Sequence, residues 1–363
     1  MFRKPTEEER KARSRRRKMV FQSRPRAPFK ARTAVQIFSM ATIIWIGWRF
    51  FGWVQGLENG ITTGSRPPGV EGFLPLSALM SLRHLFESGN FSMVHPAGLV
   101  ILCLILLTGL LMKKAFCSWI CPVGSFAEIL ARLSHRIFKR RLKLPVWLDY
   151  PLMSLKYLLL FFFGYAIFVT MTPEQISGFL VTPYNKVADI KMLYFFTNLS
   201  TFSMWTLGIL TLLSFVLPYF WCRYLCPYGA LIGLVSLFSV TRVSRYAPDC
   251  TNCGKCAAVC PSFLAVDLKT NINSVECTGC LECVTNCPEE NALQILTPRI
   301  WQKNIRPVVF AVLVLGLFYG GMQVARISGV WESNIDQEEL VDRINRGLTG
   351  PEYDHVGRPP SSR

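Results

Sequence analysis

Residues 202–229 read FSMWTLGILTLLSFVLPYFWCRYLCPYG, an apolar run that ends in two cysteines with a proline directly after the second. The apolar part has roughly the 20 residues that a helix needs to cross a bilayer. The stretch FCSWICPVG, residues 116–124, repeats this ending after another apolar run. The chain therefore contains an internal repeat in which a span is followed by a cysteine pair and a proline.

The composition predicts a membrane protein. Of the 363 residues, 51% are hydrophobic and only 17% are charged, which excludes an ordinary soluble domain because so much apolar surface would lack a core to hide it. We expect about five transmembrane helices, with Lys156 in the third extending to the near interface. Shorter apolar stretches at 73–86 and 230–240 predict interfacial or re-entrant helices. The predicted spans are 34–57, 94–112, 151–172, 202–221 and 305–325.

Basic residues predict the orientation of the spans. The stretch 58–93 holds two of them and 173–201 holds two, whereas 113–150 is rich in lysine and arginine. The positive-inside rule then places 113–150 and 222–304 in the cytoplasm of a bacterium, with the spans in its inner membrane. The net charge of +17 includes a basic tail at 1–33, for which we expect anionic lipid headgroups rather than nucleic acid as the partner.

The segments CTNCGKCAAVCP (250–261) and CTGCLECVTNCP (277–288) carry the strongest chemical signal. Both have the spacing C-x-x-C-x-x-C-x-x-x-C-P, in which three cysteines bind one [4Fe–4S] cluster and the fourth binds the other. Structural zinc is the weaker interpretation, since zinc does not need eight cysteines in this reciprocal order. The segments resemble bacterial two-cluster ferredoxins. The predicted ligands are Cys250, Cys253, Cys256 and Cys287 for one cluster, and Cys277, Cys280, Cys283 and Cys260 for the other.

These patterns predict a mainly α, polytopic helical membrane protein with an inserted α+β two-cluster ferredoxin domain. The predicted parts are a basic cytoplasmic tail (1–33), a membrane domain with four spans and the two cysteine hairpins (34–240), a cytoplasmic ferredoxin domain (241–300), a fifth span (301–325) and a periplasmic tail (326–363).

The paired cysteines Cys117, Cys121, Cys222 and Cys226 are candidate redox-active or metal-binding residues. A residue before proline tends to leave the helix, so each second cysteine should lie at a break and the proline should open the next helix. The four thiolates could hold one metal or cluster together if the hairpins meet. Each pair could instead cycle with a disulfide, bind Cu(I), or only stabilise a turn.

The four histidines, His84, His95, His135 and His355, all lie away from the middle of a span, so we expect no haem, and we expect no flavin. His84 and His95 could accept a proton from a quinol, although an ordinary interfacial histidine is the simpler interpretation.

Residues 34–335 resemble a known family of membrane proteins. The motifs that carry the resemblance are the two hairpin motifs, the two ferredoxin motifs, RPPGVEGFLP (66–75) and HPAG (95–98). They resemble the polytopic membrane ferredoxin family of NapH, NosR and CcoG, and the plan is most similar to the NapH branch. The resemblance implies quinol-linked electron transfer. The expected function is a relay of electrons between quinol or a cytoplasmic donor and a periplasmic or membrane redox protein, through two [4Fe–4S] clusters and the membrane-face cysteines, with the chain as a candidate quinol dehydrogenase component. The alternative is an assembly factor that reduces copper or a disulfide for a respiratory metalloenzyme.

Overall fold

The computed structural model describes residues 31–62, 64–139, 141–289, 291–296, 305–348 and 353. Most of the predicted basic tail, the junction at 297–304 between the predicted ferredoxin domain and the fifth span, and the chain end after residue 353 lie outside the described residues. The described part is mainly helical and holds one small sheet.

The first half of the described chain consists of helices joined by short turns. Helix α1 (Ala31–Glu58) is followed by a 3₁₀ turn (Pro68–Phe73). Four helices follow: α2 (Pro75–Ser88), α3 (Pro96–Met112), α4 (Ala115–Trp119) and α5 (Pro122–Phe138). Helices α2, α3 and α5 begin with proline, whose fixed φ suits the first helical position and whose missing N–H is not needed there.

Helix α6 (Val146–Tyr165) continues through a π turn (Ala166–Thr170), so the two form one long apolar segment. Three short helices follow on one side: α7 (Pro173–Leu180), α8 (Pro183–Lys186) and α9 (Ala188–Thr197). Helix α10 (Thr201–Val216) leads into a second π turn (Trp221–Leu225) and then α11 (Pro227–Val235) with a 3₁₀ end (Ser236–Phe238).

Three segments in the described part of the chain are long and apolar enough to span a membrane: Ala31–Glu58, Val146–Thr170 and Pro307–Ile327. Helices α9 and α10 form a fourth candidate if they are one span broken by a bend of 80°. The predicted second span corresponds to the shorter helix α3. This helix is apolar on all sides, and protein surrounds much of it. The count of five spans therefore stays a prediction.

Large apolar side chains cover the outside of these helices. Such a surface would be insoluble on its own, and it is the surface expected where lipid replaces water. Residues that carry it include Ile44, Trp48, Phe161, Phe202, Trp205 and Val312. The chain is a membrane protein.

The ferredoxin segment folds around a three-stranded antiparallel sheet in the order β2-β1-β3. Its elements in chain order are β1 (Arg242–Arg245), α12 (Lys255–Val259), a 3₁₀ turn (Val266–Leu268), β2 (Asn271–Ile272), α13 (Glu282–Thr285) and β3 (Leu293–Leu296). Val243 of the central strand pairs with Ile272 and Ile295 on its two sides, and all three are buried.

The last described helices return to the membrane part. Helix α14 (Pro307–Leu315) continues through a π turn (Gly316–Gly320) into α15 (Gly321–Ile327), and α16 (Gln337–Asn345) follows. One apolar core joins α3, α14 and the sheet, which fixes the ferredoxin segment against the membrane helices. A second core packs α16 against the far end of α1.

Candidate metal centres

The first ferredoxin site is a recess of about 340 Å³ lined by Cys250, Cys253, Cys256 and Cys287. Three of these cysteines come from the loop and first turn of α12, where Gly254 adopts φ +73° and begins the helix. Burial raises the pKa of the Cys256 thiol to about 11, although the backbone N–H of Ala257 donates to its sulfur and lowers it. Iron would replace this proton, since metals bind the thiolate.

The second site is a recess of about 370 Å³ lined by Cys260, Cys277, Cys280 and Cys283. Burial raises the pKa of the Cys260 thiol to about 12, and the Cys280 thiolate raises it further. The structure groups the eight cysteines into the two sets that the spacing predicts, and both donor sets suit a [4Fe–4S] cluster. Their ligation of iron stays a prediction. The two sites are neighbours: α12, which carries Cys256, packs against α13, which carries Cys283, and the charge of Cys256 raises the pKa of Cys283.

The loop of the second site lies directly on the membrane helices. Gly279 has φ +60°, and a Cβ on it would lie 3.0 Å from the carbonyl oxygen of Met112 at the end of α3. The Ser118 hydroxyl donates to the Thr278 carbonyl at 2.7 Å, and the Trp119 indole N–H donates to the Gly279 carbonyl at 3.0 Å. Residues 118 and 119 belong to α4, the helix that carries Cys117.

Both hairpins fold as the proline rule predicts. Cys121 lies at the N-terminus of α5 with Pro122 as the first helical residue, and Cys226 precedes Pro227 of α11 in the same way. The backbone N–H of Gly229 donates to the Cys226 sulfur at 3.3 Å.

The glycine three residues after the second cysteine lies close to the first cysteine in both hairpins, but only in the first hairpin does the packing leave no room for a Cβ. A Cβ at residue 124 would overlap the carbonyl oxygen of Cys117, whereas a Cβ at residue 229 would lie 3.7 Å from the carbonyl oxygen of Cys222. In both copies this glycine therefore faces the backbone of the first cysteine of its pair.

The structure brings the four hairpin cysteines together. Burial raises the pKa of Cys117 to about 12, the Lys114 charge lowers it, and the thiolate charges of Cys121 and Cys226 raise it. Burial and the thiolate charges of Cys121, Cys226 and Cys117 raise the pKa of Cys222 well above its usual value. Four interacting thiols in a partly buried position favour a bound cation, which would stabilise the thiolates.

A group that fits a single metal ion is absent from the described residues. No set of three or more histidine, cysteine, aspartate or glutamate side chains converges closely enough there to hold one ion. This holds for the hairpin cysteines and also for the cysteines of the two ferredoxin sites. The remaining cysteine of the membrane part, Cys103 on α3, is exposed.

Lys156 forms an ion pair beside the second site, and the expectation that it extends to the interface is wrong. Its side chain is 0% exposed, and Nζ donates to both carboxylate oxygens of Glu276 at 2.7 and 2.8 Å. Tyr157 donates to the same carboxylate at 3.1 Å. The acidic partner explains the difference, because it lies in the ferredoxin loop immediately before Cys277.

Two further arginines hold the ferredoxin segment to the helices, one through an ion pair and one through a hydrogen bond. Arg32 of α1 binds Glu128 of α5 and, at 3.0 Å, Glu282 of α13. Arg223 of the second hairpin binds Asp149 at 2.7 Å and donates to the Ser262 carbonyl at 3.2 Å. Such buried, multiply bonded pairs fix geometry more than they add stability.

His95 is buried in a polar network at the opposite end of the helices. Its Nε2 lies 2.6 Å from the Asn185 carbonyl and its Nδ1 lies 3.4 Å from Glu71. Arg66 binds Asp189 at 2.6 Å beside it. Glu71 and Asp189 are functional-site candidates that no motif predicts from the sequence, although the family-like stretch at 66–75 contains Glu71. His84 is only partly buried, beside Ser88.

Comparison with known proteins assigns iron–sulfur chemistry to both cysteine-rich parts. A family model described as a 4Fe-4S binding domain matches residues 94–145 and again 197–245, so that each match contains one hairpin. A model described as a 4Fe-4S dicluster domain matches residues 242–288, which contain the eight ferredoxin cysteines. The protein therefore binds iron–sulfur clusters.

Relatives of known name support the same conclusion. The chain is 40% identical over 319 residues to a candidate electron transport protein, YccM, of Escherichia coli (strain K12), covering 86% of this chain and 89% of the relative. It is 26% identical over 162 residues to the ferredoxin-type protein NapH of Haemophilus influenzae, 44% of this chain and 51% of the relative. The match to the regulatory protein NosR of Stutzerimonas stutzeri is 28% identical over 150 residues, 41% of this chain and 20% of the relative.

No solved structure matches the chain significantly. The match to YccM is long enough to include both hairpins and the ferredoxin motifs, and the segments matched by the two family models coincide with the cysteine groups in the structure. The chain belongs to the NapH/NosR-type family of membrane ferredoxins, and it is an electron transport protein with 4Fe-4S domains.

Proposed function

We propose that the protein relays electrons between the quinol pool or a cytoplasmic donor and a redox partner in the membrane or periplasm. Two [4Fe–4S] clusters would carry the electrons, with Cys250, Cys253, Cys256 and Cys287 as ligands of the first, and Cys277, Cys280, Cys283 and Cys260 as ligands of the second. The observation that carries this proposal is that two recesses, each lined by four cysteines, are neighbours, and that the loop of the second lies on the membrane helices.

The surroundings of the recesses suit a relay from the aqueous side to the membrane. A bound [4Fe–4S] cluster supplies one-electron transfer with little change of geometry. Arg245 and Lys255 line the first recess, and the exposed Tyr246 lies beside it, where a soluble donor could approach. The loop of the second recess packs on Met112 and α4, so this site faces the membrane helices.

The orientation follows from the loop charges and stays part of the proposal. Lysine and arginine concentrate in the loops on the side of the ferredoxin segment, which supports a cytoplasmic location for that segment in a bacterial inner membrane. Helix α16 and the His95 network would then lie towards the periplasm. The identification of quinol as the donor rests on the family resemblance.

The test is electron paramagnetic resonance of the full-length protein, purified anaerobically in detergent. Dithionite should produce the signals of two interacting [4Fe–4S] clusters, and a reduced quinone analogue should reduce at least one of them. A Cys253→Ala variant should lose one signal and keep the other, whereas Cys103→Ala should keep both. If dithionite produces no cluster signal, the relay is wrong. If only dithionite reduces the clusters, a low-potential cytoplasmic donor replaces quinol.

A second candidate function is the maturation of a metalloenzyme by reduction of copper or a disulfide. The observation that favours it is the set of four thiols on the two hairpins, which is separate from the ferredoxin cysteines. Under this function, replacing Cys222 and Cys226 by alanine abolishes maturation of a client enzyme in cells while the ferredoxin clusters still form. Normal client activity with this double variant would eliminate it.

A further inference from the structure

We infer that Cys117, Cys121, Cys222 and Cys226 together hold a third [4Fe–4S] cluster at the membrane face. The inference extends the proposed relay, but it concerns other residues and has its own test. Of the alternatives that the sequence left open at these cysteines, it selects the site shared by both hairpins and specifies a polynuclear cluster.

The number of available thiols requires the two hairpins to combine. The 4Fe-4S binding match at 197–245 contains only Cys222 and Cys226, and a cubane normally takes four cysteine ligands. The match at 94–145 contains Cys117, Cys121 and the exposed Cys103 on α3. Neither match can complete a cluster alone. The two pairs give four thiols on elements that pack together, because the π turn that holds Cys222 contacts α5, the helix that begins directly after Cys121, and the charges of the four thiols act on one another.

The backbone around these cysteines has the features of an iron–sulfur site. Each second cysteine precedes a helix whose first N–H groups face its sulfur, as Gly229 shows for Cys226 at 3.3 Å. N–H donors of this kind stabilise ligand thiolates and help to set a cluster's potential. In the first ferredoxin site a backbone N–H also donates to a cysteine sulfur, from Ala257 to Cys256.

The spacing of the thiols disfavours a single ion. A tetrathiolate zinc site holds its sulfurs about 2.3 Å from one centre, so the sulfurs crowd together. No such group exists in the part of the chain that the structure describes, at the hairpins or at the ferredoxin cysteines. A cubane holds its ligand sulfurs farther apart, because they bind different corners. The hairpin cysteines and the two ferredoxin sets are therefore alike, because none of them converges on a single ion.

Positive charge next to the site suits an anionic cluster. Lys114 is 4% exposed, and its charge acts on Cys117, Cys222 and Cys226. The charge of Lys114 also acts on Cys277 of the second ferredoxin site, so this lysine lies between the two thiol groups. It would offset part of the negative charge that four thiolates bring to both clusters.

The position of the third site extends the relay into the membrane part. The neighbours of Cys117 on α4 bond directly to the loop that follows Cys277, through Ser118 and Trp119. One electron can thus leave the second ferredoxin site and arrive at the hairpin site. The former is oxidised and the latter reduced by one electron, and no bond or proton is exchanged.

The test counts iron and acid-labile sulfide in the full-length protein after anaerobic purification, reconstitution and desalting. Three cubanes require about 12 iron and about 12 sulfide per chain, and the double variant Cys222→Ala/Cys226→Ala should retain about 8 of each. The matched control Cys103→Ala should keep about 12, because its thiol is outside the site. Electron paramagnetic resonance should show the ferredoxin signals unchanged in the double variant.

About 8 iron in the wild-type protein would overturn the inference, and so would stoichiometric copper or zinc that disappears in the double variant. The wild-type count decides even if the double variant fails to fold, and a single Cys121→Ser variant then gives a milder test of the same loss. Failure of the relay is distinguishable. A protein with about 12 iron that no quinol or cytoplasmic donor reduces contradicts the proposed function alone, and a working relay with about 8 iron contradicts this inference alone.

Discussion

The ion pair between Lys156 and Glu276 gives the sharpest prediction about how the ferredoxin segment stays on the membrane helices. The lysine side chain is 0% exposed and the glutamate side chain is 10% exposed. In Lys156→Met the carboxylate remains buried, with the Tyr157 hydroxyl at 3.1 Å as its remaining side-chain donor. Loss of one partner of a buried pair typically costs about 3–5 kcal/mol, because the other charge remains without compensation.

We expect a cost of about 3 kcal/mol for Lys156→Met, at the lower end of that range. The Tyr157 hydrogen bond, the slight exposure of Glu276 and the charge of Lys114 all reduce the penalty. A loss of about 3 kcal/mol lowers the ratio of folded to unfolded protein roughly a hundredfold. The assay is unfolding in a denaturing detergent, followed by the visible absorbance of the iron–sulfur clusters.

Two control variants make the result specific. Lys156→Met/Glu276→Gln removes both charges and should recover most of the lost stability, since an uncharged pair leaves no buried charge. Arg346→Met breaks an exposed pair with Asp342 and should change stability by less than about 0.5 kcal/mol. A loss of stability in Lys156→Met as small as that in Arg346→Met would refute a cost from the buried charge, and so would a double variant that is less stable than the single one.

Three more predictions concern other parts of the chain. Gly124→Ala should disrupt the first hairpin and reduce its metal content, because a Cβ at residue 124 overlaps the Cys117 carbonyl. Gly229→Ala should be tolerated, because the atom nearest to a Cβ at residue 229 is 3.6 Å away. Equal iron content in the two variants would contradict this prediction. The pKa of Glu339 is depressed, because hydrogen bonds from its lysine and arginine partners outweigh the effect of its burial. The carboxylate therefore stabilises α16 at pH values above its unfolded pKa of about 4.3. This stabilisation is lost as the pH falls through the folded pKa. Proteolysis of α16 should then increase in acid, and Glu339→Gln should remove the pH dependence. Cys253→Ala should remove about 4 iron per chain and leave the second site loaded; loss of all iron would mean that the ferredoxin sites form only together.

The surroundings of His95 differ from those that a proton acceptor for quinol requires. As a quinol base, this histidine would need a free ring nitrogen facing a cavity. In the structure the Asn185 carbonyl, Glu71 and Arg66 surround its ring, and the side chain is 1% exposed. The network connects four separate segments of the chain, which is a structural role that the isolated sequence could not indicate.

The sequence by itself determined the parts of this protein that depend on short-range rules. The cysteine spacing at 250–288 groups the ferredoxin thiols, since three of each set lie on one tight turn. Pro122 and Pro227 begin helices as predicted, because φ of proline is fixed and the preceding residue avoids the helix. The composition and the apolar runs sufficed for a helical membrane protein.

Packing between distant segments was decided only by the tertiary structure. Cys117 and Cys222 carry the same local motif, yet nothing in either motif specifies that their hairpins meet. The same holds for Lys156, which lies in an apolar helix and finds its partner in the ferredoxin loop. The sequence of α3 predicts a span, yet the helix packs largely within the protein. Hydropathy cannot separate the two cases, because it records only that a side chain avoids water, whether lipid or protein surrounds it.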